Sequence, residues 1–284
     1  LFRYSKHKIF QKFNYDYLKR WIKLSWVPLY PWLATIFGAL EISIFTIMTG
    51  SVMGLAIWTA VMSASAMITH VSTISKAVYP KLLGDKDFHY LRDNISLLFF
   101  FNFLMTGLII VFAKPALYAL NPIYADAFPV VVILAINYFF VVLTTVSIQN
   151  LIGIENIDLD KKASFRNYLS SKLFYPHTLR FIEALFFIPI LVIGLYFLID
   201  LNRPTVDLLI FWSTCTLLIH LPVSIYLLFK MTKTLNFKLD SKLIIKYFSI
   251  GIVSFTSIYF ITENYLFYTP DIFSFGPNLL LFFS

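Results

Sequence analysis

The chain has 284 residues, 59% of them hydrophobic, 19% aromatic and only 13% charged. A water-soluble domain carries about 25% charged and about 45–50% apolar residues, so lipid must be the solvent for most of this surface. The formal net charge is +8, but the basic residues cluster between apolar runs on alternate loops, which excludes a polyanion groove and, with it, nucleic acid as a partner.

The single cysteine, Cys215, lies inside an apolar run, so no disulfide framework and no CxxC metal or redox motif exists. The N-terminus is basic and aromatic with no small-residue cleavage site, so no cleavable signal peptide is expected. The first residue is Leu1, and the last apolar run, IFSFGPNLLLFFS, is too short to span. Both ends are expected to be cut.

In residues 1–23, Phe10, Phe13, Tyr17 and Trp21 recur at spacings of three and four, with Lys8, Lys12, Lys19 and Arg20 on other faces. This fits an amphipathic helix in the membrane interface or an ordinary basic flank. A first span is predicted over 24–49, with Pro28 and Pro31 near its start, where a missing N–H is tolerated. The second covers 53–75. Gly50 and Gly54 form a GxxxG at its entrance, and Ala56, Ala60 and Ala64 extend a stripe of small residues. Small residues let helix backbones approach closely in lipid, so this helix is expected in the middle of the bundle.

Further spans are predicted at 95–112, 128–151, 181–199 (with Pro189), 208–228 (with Pro222) and 244–261, each close to the length a bilayer crossing requires. An eighth begins near Ile272 and runs off the end. The long 152–180 loop holds a candidate short interfacial helix at 164–169. The expectation is an all-α, multi-pass transmembrane helix bundle with seven full spans and a truncated eighth. It divides into a lead-in (1–23), a six-helix bundle (24–230) and an extra helix pair (231–284).

Arg3, Lys6, Lys8, Lys12, Lys19, Arg20 and Lys23 precede the first span. Lys76, Lys81, Lys86 and Arg92 follow the second, and Lys161, Lys162, Arg166, Lys172 and Arg180 lie between the fourth and fifth. Lys230, Lys233, Lys238, Lys242 and Lys246 follow the sixth. Only Lys114 and Arg203, of 23 Lys and Arg, fall on the other side. The positive-inside rule then places the N-terminal segment and every second loop in the cytoplasm.

Few residues could carry chemistry. Glu41 is the only acidic residue well inside a predicted span, at a cost of about 2.5–3.5 kcal/mol if charged. It reads as a proton- or cation-linked gate or substrate contact, or as a carboxyl hydrogen-bonded within the bundle. His220 lies mid-span before Pro222, and His70 near the cytoplasmic end of the second span. Two lone histidines on different helices make no metal site without further ligands. Asn102, Asn137, Gln149 and Asn150 could bond helix to helix, at about 0.6–2 kcal/mol each, or line a hydrated cavity.

Glu183 follows Arg180 by three residues at a predicted helix start, where a local ion pair explains it. Asp85 and Asp87 resemble half of a carboxylate pair for Mg²⁺ and a diphosphate, but Lys81, Lys86 and Arg92 make a solvated mixed-charge loop. No P-loop, nucleophile elbow, HExxH or dinucleotide fingerprint occurs.

The run STISKAVYPKLLGDKD, with Val78, Tyr79, Pro80, Lys81 and Leu82, resembles a motif of polysaccharide flippases in the multidrug/oligosaccharidyl-lipid/polysaccharide exporter superfamily. In the next segment Pro115, Tyr124, Ala125, Ala127 and Phe128 match that family's hairpin, in which a helix ends at a proline and a short motif leads into a new span. The lead-in YLKRWIKLSWVPLY resembles the start of a family lobe. The likeness covers roughly residues 17–152. It departs at Asn121-Pro122, where glycine is usual, at Glu41, where aspartate is commoner, and in the long 152–180 loop.

The resemblance implies one six-helix exporter lobe plus two extra helices, with an N-terminal lobe of the same protein as partner, without which this chain would not transport. It implies movement of a lipid-linked oligosaccharide across the cytoplasmic membrane, with the lipid bilayer as surroundings and no cofactor or covalent chemistry. An ion-coupled multidrug or lipid exporter using Glu41 is an alternative within transport. A polymerase or transferase acting on lipid-linked sugars is an alternative enzyme, disfavoured because the outside loops (about 50–52, 113–127, 200–207 and 262–271) are short.

Overall fold

The computed structural model describes residues 25–76, 88–153, 174–236 and 238–266, with Ser171 and scattered positions near both ends. Among these, all regular structure is helical. The helices are α1 (Trp26–Thr49), α2 (Val52–Ala66), α3 (Phe88–Leu120), α4 (Phe128–Gly153), α5 (Tyr175–Asp200), α6 (Thr205–Thr234) and α7 (Ser241–Tyr265). Six stretches, from α2 to α7, are long and apolar enough to cross a membrane, and α1 adds a shorter apolar stretch, Thr35–Thr49. The all-helical, membrane-embedded class expected from composition is therefore the one the chain adopts. The Val78–Leu82 motif, Asp85 and Asp87, the 164–169 segment and most of the lead-in and the eighth span lie outside the described residues.

Local chemistry sets the turns. Gly50 ends α1 in the left-handed region (φ 59°), its N–H donating to the Thr46 carbonyl, as helix ends favour for a residue without Cβ. Ser51 then caps α2, its hydroxyl accepting from the Gly54 N–H at 2.9 Å. Beyond Ala66, α2 tightens into a 3-10 stretch, Met67–Ser72, followed by one α turn, Thr73–Lys76.

The expected outside loop at 113–127 is corrected. Residues 113–120 continue α3 straight through Pro115, which is buried together with Ala113, Leu117 and Ala119. The missing N–H of one proline is tolerated in a long helix braced by neighbours. At 33 residues, α3 is about 50 Å long, against about 30 Å of hydrocarbon. It stops at Leu120 because Asn121 is extended (φ −164°, ψ 127°), the conformation a following proline favours. The Asn121 side chain accepts from the Ile123 N–H at 3.0 Å and starts the 3-10 stretch Pro122–Ala127 that leads into α4.

The helices form a row, α1–α5–α6–α4–α3–α7, with α2 laid across α4 and α3. The expectation that α2 occupies the middle is corrected: α4 does, with residues buried around most of its circumference. The inward line of α2 runs through Gly54, Ile57, Trp58, Val61 and Ser65, leaving Ala56, Ala60 and Ala64 on partly exposed flanks. Two glycines elsewhere admit rings. A Cβ on Gly194 of α5 would lie 1.9 Å from Phe211 of α6, and one on Gly107 of α3 would lie 2.1 Å from Phe255 of α7.

Two apolar clusters result. One, toward the end carrying most basic residues, gathers Ile68, Leu98, Val146, Leu151 and Met231. The other, toward the opposite end, gathers Phe45, Trp58, Leu134, Leu191 and Trp212. Polar links between helices fall chiefly on α6, between and beside these clusters.

Candidate functional site

Helix α6 carries the polar seam. Trp212 is fully buried and stacked on Trp58 of α2, with ring centroids 3.7 Å apart and planes 12° apart, and on Phe45 of α1 at 4.8 Å. Its indole N–H donates to Glu41 Oε2 at 2.9 Å. Of the two readings of Glu41, the geometry supplies the hydrogen bond within the bundle. It comes from a neutral donor 171 positions away in sequence. The stack fixes the indole plane and so aims its N–H at the carboxylate.

Two turns further along α6, His220 joins three helices. Its Nδ1 lies 2.9 Å from Glu183 Oε1 on α5, and its Nε2 lies 3.2 Å from Thr144 Oγ1 on α4. The His220 and Glu183 side chains are 17% and 14% exposed, and Thr144 is 2% exposed. Thr145 and Thr216 turn their hydroxyls onto carbonyls of their own helices, whereas Thr144 bonds across to the imidazole. One turn past His220, the Ser224 hydroxyl donates to the Phe140 carbonyl at 3.0 Å and ties α6 to α4 again.

The reading of Glu183 as a local partner of Arg180 is corrected. Helix α5 begins at Tyr175, two turns before Glu183, so the carboxylate sits inside the helix rather than at its start, and it pairs with His220. The signal available in the sequence was an acid and an imidazole on consecutive spans. The (i, i+3) arginine offered a nearer explanation.

The remaining candidates do not converge. His70 is exposed, in the 3-10 stretch at the end of α2. Asn102 is fully buried and its amide N–H donates to the Phe139 carbonyl at 3.0 Å, joining α3 to α4. Asn137 is buried on α4 with its side-chain oxygen unpartnered. Asn150 donates to the Val146 carbonyl of its own helix at 3.0 Å and approaches Met231 Sδ at 3.6 Å. Gln149 is half-buried beside it. Among the described residues, no group of three or more His, Cys, Asp and Glu could hold a metal ion.

Away from the seam, an apolar groove of about 710 Å³ lies between α3, α4 and α7. Phe103, Phe128, Phe139, Phe248 and Phe255 line it, and no charged residue does. At its far end Lys114 of α3 forms an ion pair with Glu263 of α7. That pair and the Gly107 notch hold α7 against α3.

No family model, no curated protein and no solved structure matches the chain.

Proposed function

We propose that this protein moves a lipid-linked oligosaccharide or polysaccharide precursor across the cytoplasmic membrane. In this reading α1 to α7 are seven spans, the end rich in Lys and Arg faces the cytoplasm, and α1 to α6 form one exporter lobe with α7 as an added helix. The observation that carries it is the apolar groove between α3, α4 and α7. A lipid-linked glycan needs a place for its tail while the sugars cross, and a groove with no charged lining offers one to a hydrocarbon chain. In the α3–α4 connection Tyr124, Ala125 and Ala127 lie in the 3-10 stretch and Phe128 opens α4, whereas α3 runs on through Pro115 instead of ending there as the resembled hairpin does.

The test fills the groove. Ile136→Trp adds bulk to a partly exposed groove residue. It should abolish movement of a long-tailed lipid-linked sugar by the natural protein in vesicles, while leaving the fold intact by circular dichroism. Undiminished movement would remove the groove from the account. Product formation from labelled lipid-linked sugar by the purified protein would favour the transferase reading instead.

A second reading, an ion-coupled exporter, draws on Glu41. Its discriminating variant is Glu41→Gln, taken up below.

A further inference from the structure

We propose that Glu183 and His220 form a proton-binding site within the bundle, and that loading it fastens α5 to the α4–α6 pair. The site binds its proton without a cargo and its test needs none, so the proposal can fail while the export reading stands.

The first support is that both imidazole nitrogens keep a hydrogen-bond partner in either protonation state. With a neutral ring protonated at Nδ1, that N–H donates to Glu183 Oε1, 2.9 Å away, and Nε2 accepts from the Thr144 hydroxyl at 3.2 Å. With an imidazolium, Nδ1–H still donates to the carboxylate and Nε2–H donates to the same hydroxyl oxygen. A hydroxyl serves both states because it rotates between donor and acceptor roles. Its own proton is then released from the ring, and the carbonyls one helical turn earlier, Phe140 and Val141, already accept the Ser224 and Thr145 hydroxyls. Taking up a proton therefore breaks no bond between helices. The net charge of the pair passes from minus one to zero.

The second support is enclosure. Carboxylate, imidazole and hydroxyl in this order also describe a nucleophilic triad, but Thr144 is 2% exposed and leaves no room for a substrate carbonyl. A proton is a ligand small enough for the site. When loaded, the Glu183 bond joins two opposite charges and gains their Coulombic attraction, whereas the unloaded bond has only one ionised partner.

The third support is where the bond sits. Toward the opposite end, α5 is locked to α6 by the Phe211 ring in the Gly194 notch. Glu183 lies 11 residues earlier, about 16 Å along the helix, and helix α1 rides on α5. The pair therefore holds the middle of α5 to α6, between the notch and the contacts that Tyr175 makes with Lys230 and Tyr226.

Other titratable groups on the surrounding elements are engaged elsewhere or lie at other depths. On α5, Arg180 is one turn toward the basic end, with His177 and Tyr175 beyond it, while Tyr196 and Asp200 lie past the Gly194 notch. On α1, the Tyr30 hydroxyl bonds Thr178 and Glu41 accepts from Trp212. On α4, Tyr138 lies within electrostatic range of Glu41. On α6, Lys230 lies over the Tyr175 ring at 3.0 Å, Tyr226 and Lys233 are also toward the basic end, and Cys215 and Asp207 are toward the opposite one. Tyr124 and Asp126 lie in the 3-10 stretch beside the start of α6.

Proton uptake by the natural protein in lipid nanodiscs, measured as the pH is lowered from about 8 to about 5, tests the site. Glu183→Gln, His220→Gln and the double variant should each bind one proton fewer per chain than the unsubstituted protein, because they lose the same proton. A double variant that loses more than either single, or singles that lose none, overturns the proposal. NMR of isotope-labelled histidine in the unsubstituted protein needs no variant to fold. The His220 ring should pass from the Nδ1-protonated neutral form to the imidazolium, and a ring that stays neutral throughout overturns the site. Spin labels at Leu185→Cys and Ile136→Cys in a Cys215→Ala background test the fastening. Their distance distribution should narrow on acidification, and not when His220→Gln is added; equal widths at both ends of the range overturn it.

Discussion

At the scale of single residues, the bond from Trp212 to Glu41 makes the first prediction. Trp212→Phe keeps most of the ring stack but leaves a half-buried carboxylate without its donor. That should cost about 1–3 kcal/mol of stability, read from unfolding of the protein in mild detergent. Glu41→Gln retains an acceptor for the indole N–H and should lie within about 1 kcal/mol of the unsubstituted protein. It should also preserve any dependence of transport on an imposed ion gradient. Loss of that dependence would return the coupling role to Glu41. Glu41 was legible in the sequence as an isolated acid that needed a partner, but the partner was not, because only the fold brings positions 171 apart together. Glu183 was misread for the converse reason. A nearby arginine satisfied it on paper, and the apolar run began six residues after the helix does.

At the scale of elements, the helices and their order could be read from hydropathy, while their rotations could not. In water an amphipathic stripe marks the buried face, but in lipid both faces of a span are apolar and nothing in hydrophobicity separates core from lipid. The alanine stripe of α2 was therefore assigned to the interface, although Ile57, Trp58 and Val61 face inward. By the same token α7, whose most apolar stretch has no buried residue, still reads as a span as the central α4 does. The close approaches instead fall at glycines that receive a ring. Gly194→Ala should destabilise the α5–α6 contact by about 1–3 kcal/mol, and Phe211→Ala should recover part of that loss in a double-mutant cycle. Gly38→Ala on α1, where an added Cβ meets nothing within 4 Å, should be neutral or stabilising by up to about 1 kcal/mol. Equal effects at the two glycines would mean that the notch is not a contact.

At the scale of the whole molecule, a row of helices runs from α1 to α7 with its polar links gathered on α6 and its apolar groove on the α3–α4–α7 side. Orientation rests on the charge asymmetry between the two ends of the bundle, with only Lys114, in the last turns of α3, and Arg203 opposite the other basic residues. In a Cys215→Ala background, Thr234→Cys at the basic end should react with an impermeant thiol reagent only from the cytoplasmic side, and Leu201→Cys only from outside. Both positions are exposed, and the reverse pattern would invert the topology. The central claim is export of a lipid-linked glycan. It is tested most directly with the natural protein in vesicles whose inner leaflet carries a labelled lipid-linked oligosaccharide. The account predicts protein-dependent appearance of the intact labelled molecule in the outer leaflet. No protein-dependent transfer, or recovery of the label in a new covalent product, would contradict it.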